Sequence, residues 1–145
     1  MKIITDDIFN SEYLKDKDTM ILHCISADYA LGKGFAAQIE QRYKVRDFLK
    51  AVGKHECPDV IAVDNILNMV TKQYYDNKPT PESFNQALIL AREFCLEHNV
   101  KRLIMPRIGS GLDRLDWEFC RESIKYILDE FDIDCIVYEQ YSFIK

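Results

Sequence analysis

The sequence is poor in the residues that mark chains without a core. Five glycines and four prolines in 145 positions exclude a collagen-like or linker-dominated chain. No apolar run approaches the ~18 residues of a membrane span. The opening Met1-Lys2-Ile3-Ile4-Thr5-Asp6-Asp7 turns acidic too early for a signal peptide. An excess of basic charge is missing too: 24 acidic residues against 19 basic ones leave a net charge of −5. Duplex nucleic-acid binding draws on Lys and Arg to neutralise phosphate, so this balance argues against a nucleic-acid coat protein. It leaves room for a local pocket that takes a small phosphorylated ligand.

Paired cysteines are absent as well. Cys24, Cys57, Cys95, Cys120 and Cys135 are odd in number, and no two lie within four residues of each other. That excludes a local C-x-x-C zinc clip and speaks against a secreted disulfide framework. His23, His55 and His98 are equally scattered, and His55 with Cys57 finds no second pair to complete a tetrahedral site. The expectation is a reduced, cytoplasmic protein with no metal and no cofactor.

What is present suits one domain over residues 1–145, with 48% hydrophobic and 30% charged residues, enough to bury well over half of the unfolded chain's surface. Short apolar runs alternate with longer amphipathic segments, the pattern of an α/β sandwich with a mixed, largely parallel sheet. Strands are expected at residues 2–5, Thr19–Ile25, Val60–Val63, Ile66–Val70, Arg102–Met105 and Ile133–Tyr138, with Asp64-Asn65 as a hairpin turn. Helices are expected over Gly34–Tyr43, over 46–52 with Phe48, Leu49 and Val52 on one side, and from Thr80-Pro81 onward. In that third helix Phe84, Ala87, Leu88, Ala91 and Cys95 form one stripe. A last helix capped by Asp116 carries Trp117, Cys120, Ile124, Ile127, Leu128 and Phe131.

Three strand-to-loop junctions can carry chemistry, because ligands of open α/β sheets bind beyond the carboxyl ends of strands. Ser26 to Ala36 contains Gly32 and Gly34 ahead of a helix; its backbone donors suit an anion, although the same spacing also makes a tight turn. Pro106 to Trp117 contains Gly109, Ser110 and Gly111, which can cradle a diphosphate, with Asp113 beyond; Asp113 can equally cap a helix or pair with Arg114. Lys72 stands at a strand end, either solvated or, in a partly desolvated pocket, available as an amine nucleophile. Cys24, Cys95, Cys120 and Cys135 read as small core residues, not nucleophiles.

The segments His23-Cys24-Ile25-Ser26, Leu31-Gly32-Lys33-Gly34-Phe35-Ala36, Thr71-Lys72, Lys78-Pro79-Thr80 and Met105 to Glu118 closely resemble macrodomains, in the branch of terminal ADP-ribose protein glycohydrolase. The resemblance runs in order from about residue 3 to residue 138. It implies a three-layer α/β/α sandwich and an ADP-ribose site. Asp7 and Ile8 resemble the acidic-apolar pair that receives adenine. Gly32, Lys33, Gly34 and Phe35 match the loop lining the diphosphate and distal ribose. Gly109, Ser110, Gly111 and Leu112 match the loop that wraps the phosphates. His23 and Ser26 match residues near the ribose. Lys72 and Asp113 fall where this branch keeps its catalytic pair.

Two departures stand out. An Asn-Ala-Ala-Asn-type segment is replaced by His23-Cys24-Ile25-Ser26, so water activation by Asn is not implied, and Asp6 stands where a Gly usually precedes the adenine-site acid. The seven residues past Tyr138, to Lys145, are positioned to alter the adenine edge. The implied substrates are ADP-ribosylated Glu or Asp on proteins and O-acetyl-ADP-ribose, acted on by a monomer that binds neither membrane nor duplex nucleic acid. Ester migration exposes C1 to ring opening, and Lys72, kept neutral by desolvation or a nearby cation, attacks that carbon with Asp113 as acid and base. The competing reading, a non-catalytic ADP-ribose reader, needs the glycine loops but neither Lys72 nor Asp113.

Overall fold

The computed structural model describes residues 1–140. The expectation about the adenine edge falls, for 141–145, outside those residues. Thr19–Ser26 (β2) is buried almost throughout, as a continuous apolar run in the middle of a sheet must be. Around it stand Lys2–Thr5 (β1), Asp59–Val63 (β3), Ile66–Lys72 (β4), Arg102–Met105 (β5) and Asp134–Glu139 (β6), in the spatial order β1-β6-β5-β2-β4-β3. All pairs are parallel except β3 with β4. That hairpin turns at Asp64-Asn65, with Asp64 at φ 51° and Val63 opposite Ile66.

Alternation along β2 feeds two cores. Met20 and Leu22 pack with Phe84, Leu88, Cys120 and Ile124 on one face, while Ile21 and Ile25 pack with Ile39, Val45 and Leu49 on the other. The first face is covered by Pro81–Glu97 (α3) and Trp117–Ile127 (α4), the second by Gly34–Tyr43 (α1) and Arg46–Val52 (α2). The result is the expected three-layer α/β/α sandwich. Both long helices begin where their caps dictate: Thr80 and Ser83 form a capping box ahead of Pro81, and Asp116 accepts from the Phe119 amide. No helix among the described residues is long and apolar enough to cross a membrane.

Several element details differ from the sequence reading. The expected side of α2 is mostly absent, since Leu49 is buried but Phe48 and Val52 lie in the open. Phe131 leaves the α4 stripe, because the helix ends at Ile127 and a 3-10 turn at Asp129–Phe131 points its ring outward, where Arg92 stacks on it at 4.2 Å. β4 runs past Val70 to Lys72, held by pairing with β2.

That pairing contains a slip. Ile25 lies opposite Val70, but Ser26 lies opposite Lys72, so Thr71 is the extra residue of a bulge. A one-residue shift in register changes which face a side chain occupies. Lys72 thereby shares the register position of Ser26, at the edge where the loop from β5 arrives.

Gly109, in that loop, has φ +81°, and a Cβ there would meet Cys120 Sγ and Phe84 Cε1 at 2.8 Å. Both neighbours are fully buried, so neither can retreat cheaply. Gly109→Ala therefore combines backbone strain with overpacking and should cost about 3 kcal/mol. Urea denaturation checks this, the expected outcome being a lowered midpoint with an unchanged slope.

Candidate functional site

Three loops meet beyond the carboxyl ends of β2, β4 and β5. At their centre Lys72 Nζ donates to Asp113 Oδ1 at 2.8 Å, with each side chain 15% exposed. Residues separated by 41 positions are thus in contact, one on a strand end and one on the return of the β5 loop. The Leu115 amide, donating to the Gly109 carbonyl at 2.8 Å, closes that return. Two alternatives left for Asp113, capping a helix and pairing with Arg114, do not occur. Asp116, not Asp113, caps α4, and among the described residues Arg114 forms no ion pair. The group in contact with the Lys72 amine is a carboxylate and not a cation, while the side chain itself is largely withdrawn from water. The arrangement can hold a proton between an amine and an acid. Cys24, on β2, is only partly buried, unlike the core residue expected; its thiol is pushed well above the ordinary range, by burial first and then by the Asp113 carboxylate. Cys95, Cys120 and Cys135 are buried core residues, as expected.

The β2 loop is braced by a residue that the sequence reading passed over. Asp28 accepts from Ser26 Oγ at 2.5 Å, the Ala30 amide at 3.2 Å and the Tyr75 amide at 3.0 Å. Burial raises its carboxyl, but the hydrogen bonds from Ser26, Tyr75 and Ala30 outweigh that and hold it below the usual range. Asp28 therefore ties the β2 loop to the segment that follows Lys72. Arg46 reaches back from α2 to the Ala30 carbonyl at 2.6 Å. Tyr29, fully buried, accepts the His55 amide at 3.0 Å and stacks on its ring at 4.5 Å. These braces hold Tyr29 at φ 57° and Leu31 at φ 43°, values that cost non-glycine residues. Asp28 stood inside a singled-out segment, but an acid in a loop carries no local sign that three donors converge on it.

The glycine loops come together. Gly32, Lys33 and Gly34 are exposed, and Lys33 begins α1 with no side-chain cap, so the first-turn amides stay unpaired. A Cβ on Gly34 would meet Leu112 Cδ1 at 2.8 Å, which shows how closely the second loop leans on the first. Ser110 Oγ donates to the Arg107 carbonyl at 3.1 Å. A Cβ on Gly111 would meet nothing within 4 Å. Gly111 faces open space, whereas Gly109 serves the core.

The remaining candidates are less accessible than the sequence implied. Ser26 is 5% exposed and spends its hydroxyl on Asp28. His23, 1% exposed, lies under the site with its ring edge towards Phe35. Its Nε2–H donates to Asn68 Oδ1 at 2.6 Å, while Nδ1 finds no partner. Burial lowers its pKa to about 4, against the raising effect of Asn68, so the ring is neutral at pH 7. Asp7 and Ile8 lie in a 3-10 turn, where Asp7 Oδ1 accepts from the Phe9 amide at 3.0 Å and the Ile8 side chain belongs to the core. Phe9, which the sequence did not single out, stacks on Phe35 at 5.7 Å and beneath Arg42 at 3.8 Å, joining this turn to the first glycine loop. Among the described residues no three His, Cys, Asp or Glu side chains gather as a metal site.

No family model matches the chain. The chain is 34% identical over 125 residues to human (Homo sapiens) ADP-ribose glycohydrolase OARD1, covering 84% of this chain and 82% of that protein. It is 35% identical over 121 residues to the cattle (Bos taurus) protein of the same name, covering 81% and 80%. Among solved structures, Thermosipho africanus DarTG in complex with ADP-ribose has a TM-score of 0.80 at 19% identity, over 97% of this chain and 41% of that one. The macrodomain of Mycobacterium tuberculosis DarG has a TM-score of 0.76 at 21% identity, over 94% and 96%. These two likenesses are of fold.

The depressed pKa of His23 sets a pH dependence. Between the ordinary value near 6.5 and about 4 the unfolded chain binds a proton that the folded one refuses, so stability falls as pH drops through this window. The contribution reaches about 3 kcal/mol by pH 4. Urea titrations at pH 7 and pH 4.5 should show it, and His23→Gln should flatten the slope whatever it does to absolute stability.

Proposed function

The chain belongs to the macrodomain family, and we propose that it is an ADP-ribose glycohydrolase: it binds ADP-ribose and releases it from ester-linked acceptors, namely ADP-ribosylated Glu or Asp side chains and O-acetyl-ADP-ribose. The observation that carries this reading is the Lys72–Asp113 contact at 2.8 Å. A reader of ADP-ribose needs neither residue. The extent of the OARD1 match supports hydrolysis.

The unpaired amides of the first glycine loop and the open side of Gly111 suit the diphosphate. Chemistry then begins with a proton passing from the Lys72 ammonium to Asp113, leaving an amine with a lone pair. For an acceptor joined at C1, the amine attacks C1 of the ribose; a C1–N bond forms, the C1–O bond to the acceptor breaks, and the acceptor carboxyl leaves with that electron pair and takes the proton held by Asp113, which is a carboxylate again. The Asp113 carboxylate next takes a proton from water, whose oxygen bonds to C1 as the C1–N bond breaks; lysine leaves as the amine and regains that proton from Asp113. Cys24 takes no part, because its thiol stays protonated.

Incubation with a Glu-ADP-ribosylated peptide and with O-acetyl-ADP-ribose, following free ADP-ribose, tests the activity. Lys72→Ala should lower turnover at least about a hundredfold and show no adduct. Asp113→Ala should slow release and accumulate a species one ADP-ribose unit heavier by intact mass. Full activity of Lys72→Ala overturns the covalent step, and full activity of both variants overturns the pair. ADP-ribose binding without any turnover by the wild type favours the reader. Gly111→Val should fold normally, since its side chain enters open space, yet weaken ADP-ribose binding in calorimetry by about 1–3 kcal/mol.

A further inference from the structure

Beside the catalytic pair lies a groove that the chemistry above does not use. Its volume is about 500 Å³. One wall is Lys78 to Pro81, the continuation of the segment that leaves Lys72; the other is Arg114 to Phe119, which begins directly after Asp113. The groove therefore adjoins Asp113 through its neighbour Arg114, and its other wall begins six residues along the chain from Lys72. Its floor is apolar, built from Pro79, Pro81 and Phe119. Its rim carries two exposed cations, Lys78 and Arg114, and among the described residues neither side chain forms a hydrogen bond or an ion pair. Asp116 also lines it; its carboxylate accepts from the Phe119 amide at 3.3 Å and keeps its charge, so the lining carries two cations against one anion. Both adjoining helix starts are capped internally, so the positive balance of the groove comes from Lys78 and Arg114 set against Asp116. In a chain of net charge −5, a groove lined by two unpaired cations and one carboxylate is still a local inversion of sign.

We propose that this groove holds the acceptor: an acidic polypeptide segment flanking the modified residue, with its backbone and apolar side chains on the proline-phenylalanine floor and its carboxylates at Lys78 and Arg114. The proposal rests on the hydrolase reading and deepens it. When the C1–O bond breaks, the departing carboxylate is already attached to a chain seated on that side. A polypeptide fits better than a nucleic acid, because two rim cations are too few to track a phosphate backbone.

The test compares three substrates: a peptide with one ADP-ribosylated Glu flanked by Glu and Asp, the same peptide flanked by Lys, and O-acetyl-ADP-ribose, which has no flanking chain. Wild type should prefer the acidic peptide. The double variant Lys78→Glu, Arg114→Gln should lose that preference, its kcat/KM on the acidic peptide falling about threefold to tenfold at low salt. Turnover of O-acetyl-ADP-ribose should not change. Equal losses on acidic peptide and O-acetyl-ADP-ribose would show the cations acting through Asp113 and overturn the proposal, as would equal rates on the two peptides. Calorimetry on Lys72→Ala, which leaves the ester intact, separates this from the hydrolase reading. The acidic ADP-ribosylated peptide should bind several-fold tighter than free ADP-ribose, and the two groove substitutions should abolish the difference. Equal affinities overturn the groove even if hydrolysis stands, and a retained difference supports it even if hydrolysis fails. An ADP-ribosylated oligonucleotide with the same dependence on Lys78 and Arg114 would also overturn the polypeptide assignment.

Discussion

The site depends on one slip in register. β2 and β4 run in step from Ile21 opposite Ile66 to Ile25 opposite Val70, and then Thr71 is passed over so that Ser26 faces Lys72. A regular ladder would have put Thr71 in that place. In a sheet buried on both faces such a shift is normally penalised, since it moves side chains between two packed layers. Here it occurs at the carboxyl end, where packing gives way to loops. It sets a lysine at the edge reached by the β5 return, and the contact with Asp113 closes the arrangement.

Holding three loops at one place requires covalently distant braces. Asp28 supplies one by accepting from two segments at once, and Arg46 supplies another from the opposite layer. Charge-assisted hydrogen bonds of this kind are stronger than neutral ones, which suits them to hold Tyr29 and Leu31 in costly backbone conformations. The second glycine loop is secured differently. Gly109 is pressed against Phe84 and Cys120, so its backbone is part of the core, while Gly111 two positions on faces open space. One loop therefore contains both a fixed anchor and a free surface.

The fold was legible where the signal is local. Thr80-Pro81 and Asp116 announce the starts of α3 and α4 through their own side chains, and the apolar run from Thr19 announces the central strand. Phe48, Val52 and Phe131 misled, because helical spacing says which residues share a side but not whether another layer covers it. The pairing of Lys72 with Asp113 was anticipated through the family resemblance and not from spacing; the register slip that makes it possible belongs to two strands at once and leaves no trace in either. Ser26 and His23 were expected near a ribose, yet both are buried and engaged by partners, Asp28 and Asn68, that only the folded chain reveals.

The Cys24 thiol has a consequence of another kind. Oxidants and electrophiles act on the thiolate, and Cys24 is held as the neutral thiol by burial and by the Asp113 carboxylate. Sulfenic acid formation, the first rung of cysteine oxidation, is correspondingly disfavoured. The Asp113 carboxylate, which completes the contact with Lys72, thus also adds to the burial that disfavours the Cys24 thiolate.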